Sequence, residues 1–205
     1  MKVLLINGSP RAEGCTFTGL SEVASALEKN GVETEFYHIG TKPVRGCAAC
    51  TKCREIGKCV FDDDICNEVA EKLKEADGVV IGSPVYFCGP NGALCAILDR
   101  VFYSSSGSFL HKPGACIVSC RRGGASATFD RLNKYFAFAQ MPIVTSQYWN
   151  SIHGTTPDEV RRDLEGLQIM RVLGNNMAWL LKNSAEGNAP PDPEAKLRTS
   201  FSDGK

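Results

Sequence analysis

The stretch KVLLINGSPR, residues 2–11, decides the fold. Its apolar run at 3–6 predicts a buried strand, and Asn7 and Gly8 begin the turn that ends it. Apolar residues at helical spacing then predict a helix over 16–30. A buried strand that runs into a loop and a helix is the first half of a strand–helix–strand unit.

The same alternation continues along the chain. Further strands are predicted at 33–38, 78–81, 114–119 and 142–145. Further helices are predicted at 62–76, 92–103, 125–140 and from an N-cap at Thr156 to about 182. Five apolar strands that alternate with helices predict an α/β domain whose parallel sheet is covered on both faces. We expect this domain to span 1–183, with a cysteine loop inserted at 46–60 and a mobile polar tail at 184–205.

The bulk composition argues against several classes of protein. The 205 residues carry 23 Lys and Arg against 23 Asp and Glu, so the formal net charge is zero. No basic run favours nucleic acid or an acidic membrane surface as a partner, and no apolar stretch suits a membrane span. The apolar run near the N-terminus is too short for a signal sequence, so we expect a cytoplasmic protein. In a reducing cytoplasm, clustered cysteines favour metal binding or redox chemistry over disulfides.

The loop after the first strand offers donors for a phosphate. It carries the hydroxyl groups of Ser9, Thr16 and Thr18, the guanidinium of Arg11, and the backbone N–H groups of a helix start. That set suits a terminal phosphate monoester, whose oxygens accept many hydrogen bonds. The dinucleotide fingerprint and the P-loop ending are both absent from it. A plain turn capped by serine and threonine is the alternative interpretation.

Two later loops carry side chains that suit a flat ring. Tyr86 and Phe87 follow the third strand, and Arg121 and Arg122 follow the fourth. Ligands of such sheets bind beyond the carboxyl ends of the strands, so the loops after strands one, three and four should form one site. Aromatics held on a stiff loop pack against a ring at little entropic cost. The alternatives are aromatics that close the core and arginines that are solvated.

Together these loops resemble the flavodoxin-like NADPH-dependent FMN reductase family. The segments that carry the resemblance are NGSPR at 7–11 with Thr16, GSPVYF at 82–87 and SCRRGG at 119–124. The resemblance implies a doubly wound, five-stranded parallel sheet in the order 2-1-3-4-5. It also implies an FMN cofactor, with NAD(P)H as a possible co-substrate.

The same resemblance implies which residues hold the cofactor. The FMN phosphate would be held by Ser9, Arg11, Cys15 and Thr16. The isoalloxazine ring would be lined by Pro84, Val85, Tyr86, Phe87, Ser119, Arg121, Arg122, Gly123 and Gly124. Cys15 departs from the family, which often has asparagine there, so we expect only its backbone N–H to contribute. We assign no catalytic acid or base, because flavin hydride chemistry depends on stacking and positioning.

The densest group of cysteines lies in GCAACTKCREIGKC, residues 46–59. Cys47, Cys50 and Cys53 form C-x2-C-x2-C, and Cys59 follows after five further residues. A structural zinc site usually uses two separate C-x-x-C pairs, whereas here the two pairs share Cys50. Such a triplet with a fourth thiolate is typical of an iron–sulfur cluster held by one short loop. Zinc, free thiols and a regulatory disulfide stay open as alternatives.

This cysteine loop in a flavodoxin-like domain resembles the iron–sulfur flavoprotein branch of the family. The branch implies a [4Fe–4S] cluster on Cys47, Cys50, Cys53 and Cys59. The expected function is an FMN-dependent oxidoreductase that passes electrons between FMN and the cluster. The alternatives are an electron carrier reduced by ferredoxin, and a redox-sensing or zinc-stapled binding module. The long last helix has no obvious partner in a five-stranded unit, so we expect a homodimer or homotetramer.

Overall fold

The computed structural model describes residues 1–187 and 190–191. The strands in this part of the chain are β1 (Lys2–Asn7), β2 (Glu33–His38), β3 (Gly78–Tyr86), β4 (Gly89–Pro90), β5 (Gly114–Cys120) and β6 (Ser151–His153). The helices are α1 (Cys15–Lys29), α2 (Cys53–Ile56), α3 (Cys66–Glu75), α4 (Gly92–Ser105), α5 (Ala125–Phe138), α6 (Pro157–Val160) and α7 (Leu164–Glu186). A 3-10 turn at Ser106–Phe109 follows α4.

Five of the strands form one parallel sheet in the order β2-β1-β3-β5-β6. The predicted order 2-1-3-4-5 is confirmed, because β5 and β6 are the fourth and fifth parallel strands. The two-residue β4 pairs antiparallel with the end of β3 and forms a short hairpin there. The result is a flavodoxin-like, doubly wound sheet.

Alternate residues of each strand pack on opposite faces of the sheet. In β1, Val3 and Leu5 join a core formed with α1 and α7, whereas Leu4 and Ile6 join a core formed with α3, α4 and α5. All four side chains are fully buried. A strand that is covered on both faces needs apolar residues at every position, which explains the continuous run in the sequence. No described helix combines the length and apolar character that a membrane crossing needs.

The fifth parallel strand is not where the sequence pattern predicts it. Residues 142–145 make only an isolated bridge to the first residue of β5, and Pro142 has no N–H to donate to a ladder. Instead, the edge of β5 pairs with Ser151–His153. Asn150 leads into that pairing, because its carbonyl accepts a hydrogen bond from the N–H of Val118 (2.9 Å). The loop after the fifth parallel strand therefore begins at Gly154, at the carboxyl edge of the sheet.

The segment that the sequence predicts as one last helix forms two helices, α6 and α7. Thr156 is the N-cap of the first, as predicted, and its Oγ1 accepts a hydrogen bond from the N–H three residues later. After one turn Asp163 caps α7 in the same way. The second helix continues to Glu186, past the predicted boundary at 183. Most of the predicted tail at 184–205 lies outside the described residues.

Two glycines let the loops after β1 and β3 approach each other closely. The N–H of Gly8 donates to the carbonyl of Gly82 (2.8 Å). A Cβ on Gly8 would lie 2.5 Å from Leu94, and a Cβ on Gly82 would lie 2.7 Å from Thr16. Because neither position has room for a side chain, the first loop and the start of α1 are held against the third strand.

Candidate active site and cysteine cavity

A cleft of about 350 Å³ lies at the carboxyl ends of β1, β3 and β5. Its lining includes nine of the thirteen residues predicted to contact FMN: Ser9, Arg11, Cys15, Thr16, Pro84, Val85, Tyr86, Ser119 and Arg121. Its volume falls in the range of small-molecule sites. The three loops that the sequence predicts to form one site therefore do meet.

The floor of the cleft is a group of hydroxyls. Thr16 and Ser119, which are 103 residues apart, share a hydrogen bond of 2.8 Å between their side-chain oxygens. Ser9 is buried beside them, and its Oγ accepts from the N–H of Arg11 (3.1 Å). The Arg11 residue is exposed, so its guanidinium is free to close on an anion. These groups suit oxygen-rich ligands.

The start of α1 forms one wall of the cleft. Its N-cap is Gly14, which has no side chain to cap the helix, and no acidic residue occupies the first turn. The first N–H groups of a helix lack intrahelical partners and carry the positive end of the helix dipole. Because Cys15 and Thr16 both line the cleft, those N–H groups are available to an anion there.

The first loop is fixed by side chains that the sequence did not single out. Asn7 accepts from the N–H of Ser9 (3.1 Å) and donates to the carbonyl of Ala12 (2.9 Å). Asn91, the N-cap of α4, donates its Nδ2–H to the carbonyl of Gly8 (2.7 Å). His38 lies with Nε2 2.8 Å from the carbonyl of Ser9, which can only accept. These bonds hold the loop in shape before any ligand binds.

The hairpin of β3 and β4 forms a second wall. Pro84, Val85 and Tyr86 line the cleft. The next two residues, Phe87 and Cys88, have φ angles of +49° and +59° and form the tip of the hairpin. This left-handed turn directs Phe87 to solvent, where it is fully exposed. Phe87 therefore does not line the cleft, and its contact with a bound ring stays a prediction.

Three further predicted residues also lie outside the lining. Arg122 and Gly123 are exposed in the loop after β5 and do not line the cleft. Gly124 is the N-cap of α5 with φ +89°, and a Cβ there would lie 2.8 Å from Val85. Its role is to let α5 pack against the hairpin. Arg121 is the one arginine of the pair in the wall.

The loop after β6 forms a wall that the sequence pattern did not predict. Gly154 and Thr155 line the cleft, together with Cys120 at the end of β5. The Glu159 carboxylate fixes this loop by accepting from the N–H of Thr155 (2.6 Å). The Cys15 thiol donates to the carbonyl of Gly154 (3.7 Å), and burial raises the pKa of Cys15, which keeps the thiol neutral. A correct position for the fifth strand would have revealed these residues.

The four cysteines of the loop line a second, narrow cavity. Cys47, Cys50, Cys53 and Cys59 surround it, and its volume of about 20 Å³ is room for one water. Cys59 is buried, Cys53 is half-buried, and Cys47 and Cys50 are exposed. Among the described residues, no three His, Cys, Asp or Glu side chains are grouped so that they could hold a single metal ion. The thiols thus surround a space without converging on one point.

The backbone of the cysteine loop is unusual. Ala49 and Thr51 have φ angles of +52° and +60°, which cost about 1–2 kcal/mol each for residues other than glycine. Lys52, which follows, is in the right-handed helical region. Successive left- and right-handed residues point their N–H groups into a concavity that binds anions, as at many iron–sulfur sites. Strain of this kind concentrates at functional loops.

Cys59 is anchored by side chains from two helices. Asn67 of α3 accepts from the N–H of Cys59 and donates to its carbonyl, both at 3.0 Å. Arg100 of α4 donates its Nε–H to the Cys59 sulfur (3.3 Å). Cys66 lies beneath, fully buried, and burial raises its pKa to about 12. It is therefore a neutral core thiol and does not line the cavity.

Comparison with known proteins agrees with this geometry. Residues 1–156 match the family described as NADPH-dependent FMN reductase. The chain belongs to this family. It is therefore an oxidoreductase, and its resemblance to flavodoxin-like reductases is confirmed.

One relative places the chain more closely, and two solved structures share its fold. It is 36% identical over 190 residues to an iron–sulfur flavoprotein of Methanocaldococcus jannaschii, covering 89% of this chain and 98% of the relative. The chain falls in that branch of the family. The fold is shared with RosB, solved with a bound flavin phosphate intermediate (TM-score 0.74, 15% identity, 98% of this chain and 92% of RosB). It is also shared with an archaeal flavodoxin (TM-score 0.61, 15% identity, covering 89% of this chain and 99% of the flavodoxin).

Proposed function

We propose that this member of the FMN reductase family binds FMN in the cleft and a [4Fe–4S] cluster in the cysteine cavity, and passes electrons between them. NAD(P)H is the proposed donor. One observation carries the proposal: the four cysteines of the C-x2-C-x2-C-x5-C motif line a single cavity on a chain that also has a hydroxyl-lined cleft at its sheet edge. A flavin supplies both one- and two-electron chemistry, whereas a cluster supplies one-electron chemistry.

The donors of the cleft fit a phosphorylated ring. Ser9, Thr16 and the first N–H groups of α1 would hold the phosphate, with Arg11 closing over it. Tyr86 and Pro84 would pack against the ring. Arg121 would place a positive charge near the ring, where it favours the anionic reduced form.

The chain itself supplies binding and orientation in this cleft. The cleft lining contains no histidine, aspartate or glutamate within the described residues. The ionisable side chains there are Arg11, Arg121 and Tyr86, with the thiols of Cys15 and Cys120. We assign no general acid or base, because flavin hydride chemistry depends on stacking and positioning.

The four thiols of the cysteine cavity are suitable ligands for a cluster, but the cavity is smaller than a cluster. Thiolates that surround a space suit a polynuclear cluster, in which each binds a different iron, better than a single tetrahedral ion. The cavity must widen to admit a cluster. Cys47 and Cys50 are exposed and lie on an irregular loop, so they can move outward without disturbing the core. Cys59 stays fixed by its anchors.

The proposal is tested by separating the two cofactors. The double variant Cys47→Ala/Cys50→Ala, purified without oxygen, should lose the broad visible absorbance of a cluster and keep the FMN spectrum. Cys95→Ala, which removes a thiol that lines neither the cavity nor the cleft, should keep both. An FMN spectrum with no iron in the wild-type protein, or zinc in place of iron, would contradict the cluster.

The identity of the donor needs a separate experiment. The sequence has no dinucleotide motif, which keeps a protein donor such as ferredoxin as the second candidate. Stopped-flow reduction by NADPH, by NADH and by reduced ferredoxin compares them directly. Reduction by NADPH no faster than that of free flavin would favour the electron carrier.

We also propose that the chain assembles with copies of itself. Large apolar side chains stand exposed on the hairpin tip and on α7, including Phe87, Leu164 and Trp179. An interface between copies of the chain would remove these side chains from water. Sedimentation at micromolar concentration should give a dimer or tetramer, and a monomer would contradict this.

A further inference from the structure

A buried arginine lies beneath the cysteine loop. Arg100 of α4 is 2% exposed and lines the cysteine cavity. Its Nε–H donates to the sulfur of Cys59 (3.3 Å), and its Nη2 donates to the carbonyl of Phe61 (3.2 Å). Its Nη1 donates to the carbonyl of Arg45 (3.2 Å) and to the carboxylate of Asp64. Every nitrogen of the guanidinium therefore has a partner.

These partners come from both ends of the cysteine loop. Arg45 lies before the first cysteine, and Phe61 and Asp64 lie after the last. A planar guanidinium presents its donors in a rigid fork, so four partners at once fix its orientation. Arg100 thus ties the ends of the loop together and aims one N–H at the sulfur of the buried cysteine.

We propose that Arg100 is a positioning residue of the cysteine cavity. It fixes Cys59 in place, and its positive charge lies beside the part of the cluster that Cys59 would bind. This inference rests on the proposed function, because it concerns the cluster placed there. Partners beyond the metal ligands orient those ligands, and hydrogen bonds to the sulfurs and local charge set the reduction potential of a cluster. A reduced cluster carries one more negative charge than an oxidised one, so a positive charge at Cys59 favours reduction.

Asp64 opposes that charge. Its carboxylate is paired with Arg100, and the side chains of both residues are almost completely buried. Removing the arginine leaves a buried negative charge near the cluster, whereas removing the carboxylate leaves the positive charge of Arg100 unopposed. The two changes should therefore shift the midpoint potential in opposite directions. A purely structural role predicts loss of cluster in both variants and no such opposition.

The test compares Arg100→Gln, Arg100→Lys and Asp64→Asn in anaerobic potentiometric titrations of the reconstituted protein. We expect a more negative cluster midpoint in R100Q, an intermediate value in R100K, and a more positive value in D64N. We also expect R100Q to lose iron to a chelator roughly tenfold faster than the wild type. The FMN content of each variant reports whether the domain is folded, and R100K and D64N carry the test if R100Q does not fold.

A second arginine–aspartate pair provides the matched control. Arg131 and Asp99 pair at 3.1 Å with both side chains more than 40% exposed, and neither lines the cysteine cavity. R131Q and D99N should leave the midpoint and the iron loss unchanged. If the wild-type protein contained no iron and sulfide, both the proposed cluster and the proposed role of Arg100 would be wrong. A wild-type cluster whose midpoint and rate of loss are unaltered in R100Q, R100K and D64N would overturn the role of Arg100 alone.

Discussion

The flavin cleft and the cysteine cavity are built in different ways. The cleft is made where buried parallel strands end, and hydrogen bonds such as that between Thr16 and Ser119 close its floor. The cavity is made by a loop without strand structure, in which Cys59 is anchored and Cys47 is exposed. We therefore expect the cleft to be formed before FMN binds, whereas the cavity takes its final shape only with its metal.

One helix connects the two regions. Asn91 caps α4 at the cleft, and Arg100 lies on the same helix at the cavity. Nine residues of α-helix correspond to about 14 Å along the axis. Because the contacts of the two ends are separate, variants that disturb one region should spare the other. Single substitutions in each region test that independence.

The largest effect is expected at the glycine contact behind the cleft. In Gly8→Ala the new Cβ would lie 2.7 Å from the carbonyl oxygen of Gly82, which cannot move without shifting β3. We expect a loss of about 1–3 kcal/mol in the free energy of unfolding and loss of FMN, with the cluster retained. Denaturant unfolding and FMN content measure both.

Gly46→Ala is the matched control for that variant. Nothing lies within 4 Å of a Cβ at Gly46, which precedes the first cysteine of the loop. It should bind FMN and iron like the wild type. Normal FMN binding by Gly8→Ala would show that the cleft is more adaptable than its packing indicates.

Asn67→Ala should affect the other region. Without the side chain, the buried N–H and carbonyl of Cys59 lose their partners, which costs about 1–3 kcal/mol for a buried group left unsatisfied. We expect faster loss of iron and unchanged FMN affinity. Asn176→Ala, which removes an exposed hydrogen bond to Thr145, is the control. Equal loss of both cofactors in Asn67→Ala would contradict the independence of the two sites.

Ser119→Ala should have a smaller effect, confined to the cleft. It removes the hydrogen bond to Thr16 and one hydroxyl of the lining. A single hydrogen bond contributes about 1 kcal/mol, so FMN should bind roughly fivefold more weakly, as measured by quenching of flavin fluorescence. Ser104→Ala, at the edge of the cysteine cavity, should not change that affinity.

The smallest effect is expected far from both sites, at Glu35. Hydrogen bonds from Lys72 and Lys2 hold the pKa of Glu35 below its usual value. Because the folded pKa is lowered, the stabilisation is present above the unfolded pKa and is lost as the pH falls through the folded pKa. At pH 7, Glu35→Gln should lower Tm by no more than about 2 °C, and the difference should vanish in acid. A difference that persists at low pH would contradict this cause.

The two regions also differ in how far their residues could be predicted from the sequence. Tyr86 ends a strand, and Ser9 and Arg121 lie one or two residues after a strand end, so the fold brings all three to one edge once the strands are recognised. The strand at 151–153 is too short for a periodic signal, so the sequence pattern alone does not place Gly154 in the wall of the cleft. In the cavity, the C-x2-C-x2-C spacing identifies the cysteines, because thiols on one short loop can meet without help from the fold.

The anchors of Cys59 could not be predicted in the same way. Arg100 lies 41 residues after Cys59, on a helix whose other residues form an amphipathic pattern. Its burial depends on how α4 packs. A charged residue at a core position is a visible anomaly in that pattern. Its partner, however, is set by tertiary structure alone. The turn at Phe87 is a second such case, since nothing in its residue type predicts a left-handed backbone.

The most direct test of two separate cofactor sites on one chain is a count of FMN, iron and sulfide in protein purified without oxygen. We predict one FMN with about four iron and four sulfide per chain in the wild type. In Cys47→Ala/Cys50→Ala we predict unchanged FMN and almost no iron. Protein with FMN but without iron, or a variant that loses FMN together with iron, would contradict the account.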